Sequence, residues 1–158
     1  MVMLLSFVTI LAMAALYDFW TLTIPNPITL GLALLYLLTG ISDPGLVRWL
    51  SHLAAGATAL TLGAVLFRYG ILGGGDVKLY AATALWVGWE HLPIHSVYIG
   101  ALGLCLALVL IIARQFIMPA VFYFRPTAGA GLPKALIPGE GVPYGVAIAL
   151  STTIVILF

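Results

Sequence analysis

Charge is scarce in this chain: six Lys/Arg and five Asp/Glu are spread over 158 residues. About a quarter of an ordinary soluble domain is charged. Too few polar side chains remain here to cover a soluble surface. With 63% of its residues apolar, the chain suits a bilayer, where each helical span takes about 20 apolar residues. That length leaves room for about six spans. The same balance excludes disorder, a coiled coil and a nucleic-acid binder, which needs a basic surface. The single cysteine, Cys105, lies in an apolar run and can form neither an internal disulfide nor a Cys-rich zinc site.

No Lys or Arg precedes the first apolar run, so it reads as a retained span and not as a secretory signal peptide. The expectation is one all-α integral membrane domain over residues 1–158, with spans near 2–17, 27–41, 47–67, 76–90, 95–114 and 143–158. Asp18 ends the first span, and Asn26 with Pro27 suits the start of the second. Ser42-Asp43-Pro44-Gly45 is a turn by composition. His91-Leu92-Pro93 separates the fourth span from the fifth, and residues 125–142 form one long loop. Small residues such as Ala55, Gly56, Ala59 and Gly63 suit close helix packing in the third.

Six transmembrane helices put alternate loops on the same side. Arg68, Lys78, Arg114, Arg125 and Lys134 then share one side, against Arg48 on the other. The positive-inside rule makes the first side cytoplasmic and leaves both termini outside, in the periplasm. Asp18 and Asp76 are two spans apart and fall on the same cytoplasmic face.

A carboxylate near the centre of a span costs about 2.5–3.5 kcal/mol by insertion scales, so such a group points to function. Asp76 also has a plainer role as an N-terminal cap of its helix. Asp18, at a helix C-terminus, has the plainer role of a solvated interfacial residue. Capping does not need the Gly73-Gly74-Gly75 run before Asp76. Glycines let a peptide backbone lie close to the carboxylate. A valine at Gly75 is expected to occupy that approach space and block cleavage while leaving folding and membrane insertion largely intact. No Gly-Lys-Ser/Thr signature follows, which argues against a phosphate cradle.

Gly73-Gly74-Gly75-Asp76-Val77-Lys78 resembles the GxGD-x-K segment of the type IV prepilin peptidases. Asp18 followed by Ile24-Pro25-Asn26 is similar to that family's first aspartate segment, and Pro143-Tyr144-Gly145 to its last-helix start. The resemblance implies a GxGD intramembrane aspartyl protease of the inner membrane. It would remove the short leader of prepilin-like substrates at the cytoplasmic face, with Asp18 and Asp76 as the catalytic pair. It implies further the short branch serving Flp-type (Tad) pili, without the N-terminal zinc-binding domain linked to methylation. Phe19-Trp20-Thr21-Leu22-Thr23 departs from the basic stretch the family often has there. The presenilin and signal-peptide-peptidase proteases are also similar at Tyr17-Asp18 and GxGD, but they place the pair late in a longer chain.

Gly73, Gly74 and Gly75 are thus candidate substrate-binding residues. Lys78 and Glu140 are further candidates, with plainer roles as a snorkelling lysine and a solvated loop residue. His52, His91 and His95 read as interfacial residues near the outer face, and Trp20, Trp49, Trp86 and Trp89 as belt residues. No cofactor, metal or nucleic acid is expected; the expected partners are the bilayer and the substrate's leader and apolar helix. The alternatives are a proton or ion carrier using the same aspartates, a non-catalytic pilus or secretion assembly factor, and a metal-dependent hydrolase built on Asp18, Asp76 and Glu140. A relay needs ionisable groups near the midplane, whereas these lie toward one face.

Overall fold

A computed structural model describes residues 2–41, 46–119, 123 and 131–157. The described residues are helical, with no strand among them. The helices are α1 (Val2–Thr21), α2 (Asn26–Ile41), α3 (Leu46–Arg68), α4 (Gly74–Ile112) and α5 (Tyr144–Leu157). One π turn, Ala113–Ile117, extends α4, and a short 3-10 turn, Lys134–Leu136, precedes α5. The turn at Ser42–Gly45, Arg125 and the rest of 124–130 lie outside the described residues.

Among the described residues two helices, Trp49–Arg68 and Gly74–Phe116, are long and apolar enough to cross a membrane. The outside of the fold is correspondingly apolar, with Leu16, Leu30, Leu38, Leu60 and Leu104 all exposed. The long α4 is not straight. At Gly88 the backbone takes φ 76° and ψ 173°, outside any helical region. In a straight helix Tyr80 and Ser96 would stand about 24 Å apart, at 1.5 Å per residue. Their hydroxyls are 2.6 Å apart, so residues 74–87 and 89–112 fold back as a hairpin. The break therefore comes at Gly88, ahead of Pro93, because a left-handed φ reverses the chain more sharply than proline does.

His52 of α3 pins this turn. Its Nδ1 lies 2.7 Å from the Leu85 carbonyl, and a Cβ at Gly88 would sit 2.9 Å from its Nε2. Gly88→Ala is expected to cost about 1–3 kcal/mol for the positive-φ extended backbone alone, a region essentially reserved for glycine, with the His52 contact added. Thermal unfolding in detergent measures it; an unchanged midpoint would remove Gly88 from the hairpin's design.

In the core Phe7, Leu11, Leu32, Leu79 and Ile148 are fully buried, and the buried Ala55 and Ala59 suit the close packing of α3 against α4. Of the residues expected at the interface, His95 is inside and Trp86 is half-buried against the core. Trp86 packs its ring 4.3 Å from that of Phe7 and donates its indole N–H to the Leu32 carbonyl at 3.1 Å. His95 is fully buried, with Nδ1 2.8 Å from Ser151 Oγ on α5 and Nε2 3.4 Å from Thr83 Oγ1. The hairpin explains both, since it turns these positions toward α1, α2 and α5 and supplies partners that a buried imidazole or indole requires.

Candidate active site

Asp18 does not end α1. The helix runs another turn to Thr21, and Leu22 then takes the left-handed conformation at φ 54°. Its N–H donates back to the Asp18 carbonyl at 2.8 Å, a C-terminal closure usually given to glycine. A leucine held there is strained, and such strain collects at functional sites. The Asp18 side chain is buried at 4% exposure. Its Oδ2 accepts the Gly145 N–H at 2.8 Å.

Asp76 sits in the first turn of α4. Its Oδ2 accepts the Gly73 N–H at 3.2 Å, reaching back over the start of the helix. Its Oδ1 is buried and has no hydrogen-bond partner. An orphaned buried carboxylate oxygen is costly and calls for an explanation in function.

Both carboxylates line one cavity of about 230 Å³, together with Leu22, Thr23, Ile24 and Gly73 through Gly75. Ile24 is the wedge that assembles it. A Cβ at Gly75 would lie 3.1 Å from Ile24 Cβ, and one at Gly145 would lie 2.9 Å from Ile24 Cδ1. The start of α4 and the start of α5 thus close on the α1–α2 connection from two sides. Each delivers a carboxylate or a backbone donor to the same space. Chemically, the cavity offers two carboxyl groups, each tethered through one oxygen to a backbone N–H. That suits general acid–base work on a small reactant.

A sequence model of the type IV leader peptidase family matches residues 5–112. The chain belongs to that family. It is accordingly a peptidase, and its apolar helices make it a membrane protein. Comparisons with curated proteins and with solved structures found no match. The matched region holds both aspartates and the glycine run but stops before α5.

The remaining candidates in this peptidase separate from the cavity. Lys78 points to α2, where its Nζ donates to Asn26 Oδ1 at 2.8 Å. Asn26 therefore receives a lysine instead of capping α2 with its side chain. Two residues along a helix turn a side chain to the far face, which keeps Lys78 off the Asp76 side. Glu140 is exposed and does not line the cavity; its carbonyl accepts Arg114 Nη1 at 2.7 Å. Arg114 also takes the carbonyls of Ala135 and Gly141, so it ties the segment before α5 to the end of α4.

Gly75 is not an open edge for an incoming peptide, since its missing side chain leaves room for Ile24. Gly74 is different: a Cβ there meets the Phe67 ring at 3.5 Å, an ordinary contact. Gly74→Ala is expected to leave stability within about 0.5 kcal/mol and cleavage near wild type. Gly75→Val is expected to destabilise the fold and stop cleavage together, because the Ile24 backbone must move. Thermal unfolding and a cleavage assay on both variants check this; a stable, active Gly75→Val would overturn it.

Leu22, Ile24 and Gly145 carry the site without having been singled out for it. The signal lay in Ile24-Pro25-Asn26 and Pro143-Tyr144-Gly145, which composition and periodicity cannot connect to one cavity.

Proposed function

We propose that the protein is an intramembrane aspartyl endopeptidase that removes the short leader of prepilin-like substrates. The observation that carries this reading is the shared cavity: Asp18 and Asp76, far apart in sequence, face one space beside the glycine run. In this mechanism one carboxylate takes a proton from water as its oxygen attacks the peptide carbonyl carbon. The other carboxyl gives its proton to the carbonyl oxygen. The tetrahedral intermediate then collapses: the C–N bond breaks, the leaving nitrogen takes the proton that came from water, and a hydroxyl of the intermediate returns its proton to the carboxylate that had given one, which restores the pair. The two groups titrate as a unit, so each serves as acid and as base within one turnover.

The same reading places the chain in the inner membrane as a six-span protein with both termini outside. The hairpin at Gly88 supports it, because it divides α4 into two segments and gives six α-helical segments among the described residues. The basic residues at the helix ends support cytoplasmic placement of the aspartates. The partners are then the bilayer and a substrate with a polar leader and a long apolar helix. Incubating the purified full chain in detergent with a synthetic prepilin segment, followed by mass spectrometry, tests the activity. Release of the leader, with and without chelator, is the expected result. An intact substrate would overturn the reading, and loss of cleavage with chelator would favour a metal-dependent hydrolase.

A further inference from the structure

A second cavity, of about 390 Å³, opens between α3 and residues 89–112. We propose that it is the subsite for the apolar side chains that follow the cleaved bond, and that Gly100 sets the size it accepts. This rests on the leader-peptidase reading.

The cavity neighbours the aspartate site along three elements. Its lining includes Leu72, next to Gly73, and Tyr144, next to Gly145. It also includes Tyr80, one helical turn beyond Asp76 and so on the same face of α4. From there it runs along the helices to Leu62 of α3, about 9 Å back from Arg68 at 1.5 Å per residue. A segment extended beside the aspartates therefore lies next to it, within reach of the side chains that follow the cleaved bond.

The chemistry of the walls selects an apolar occupant. Leu62, Leu66, Ile99 and Ile148 provide the surface. The Tyr80 and Ser96 hydroxyls are closed on each other at 2.6 Å, and Ser96 donates onward to the Leu92 carbonyl at 2.8 Å. That leaves Tyr80 as the donor of the pair, so an apolar guest strips neither hydroxyl of its partner. The volume is within the range of about 300–1,000 Å³ found for ligand pockets. A polar leader leaves toward water, whereas the segment after the cleaved bond is the apolar one; the apolar cavity takes the latter. Leu62, Val65 and Gly100 are exposed, so the cavity opens sideways, which lets an apolar segment enter from lipid. A Cβ at Gly100 meets nothing within 4 Å. A larger side chain there fills the opening without disturbing the wall.

The test measures kcat/KM for two substrates that differ at the first residue after the cleaved bond, one with Leu and one with Ala. The wild type is expected to prefer Leu by about 10-fold or more, the scale set by missing methylenes in an apolar pocket. Gly100→Leu is expected to lose that preference, through a KM that rises at least several-fold more for the Leu substrate than for the Ala substrate. Equal loss on both substrates, or an unchanged preference, would overturn the subsite. A photoreactive benzophenone at the same substrate position gives a second measurement, with Asp76→Asn holding the substrate uncleaved. Cross-links to residues 62–66 or 96–100 support the proposal. Cross-links confined elsewhere defeat it and leave the cavity to a lipid chain. If Asp18→Asn still cleaves, the leader-peptidase chemistry falls instead; if it does not and Gly100→Leu keeps its preference, only the subsite falls.

Discussion

Asp18→Asn and Asp76→Asn each abolish leader cleavage, with an expected loss of about 10³-fold or more, within the range that positioned acid–base groups supply. Asparagine keeps the shape of the side chain and still offers a carbonyl oxygen to the Gly145 or Gly73 N–H. Folding and insertion should therefore survive. The amide cannot take a proton from water or give one to the leaving nitrogen. The double variant should be no slower than either single one, because the pair acts as one unit. Co-expression with a candidate prepilin, with the leader read by mass spectrometry, gives the answer. Near wild-type cleavage with either aspartate replaced would sink the aspartyl mechanism and return the carrier or assembly-factor readings.

The helical, membrane-bound character of the chain was legible in its sequence, because scarcity of charge alone leaves few alternatives. The candidacy of Asp18 and Asp76 was legible too, since carboxylates stand out against an apolar background, although α1 runs on past Asp18 to Thr21. The hairpin was misplaced by a few residues. Pro93 drew attention as a breaker, yet it lies inside the helix, and the positive φ at Gly88 does the turning. What could not be read was which glycines serve which neighbours. The Gly73-Gly74-Gly75 run looks uniform in sequence. In the fold Gly73 donates to Asp76, Gly74 is a replaceable helix start, and Gly75 makes room for Ile24. Those roles come from long-range packing between α4 and the α1–α2 connection, which no local pattern encodes. Arg114 is a similar case. A cation at a helix end reads as an interfacial anchor, but its carbonyl partners lie in the segment before α5.

That last helix carries the second large effect. Gly145 donates to Asp18 from the start of α5, and it does so with no space to spare. A Cβ there would lie 2.8 Å from Asp18 Oδ2, 2.9 Å from Ile24 Cδ1 and 3.1 Å from Asp18 Cβ. Gly145→Ala must therefore turn Asp18 away or push α5 outward. Displacing a catalytic group by about 1 Å can cost about 100-fold in rate, and a loss of that size is expected here. Ile24→Val removes the Cδ1 atom at a cost of about 0.5–1.5 kcal/mol. Combined with Gly145→Ala it relieves one of the contacts but leaves both to Asp18. The double variant should regain part of the lost thermal stability and none of the lost rate. Such a split would mean that Gly145 acts on Asp18 itself and not merely on the packing of α5. Full activity in Gly145→Ala would show that the Asp18 carboxylate does not depend on this donor, and that the last helix only covers the site.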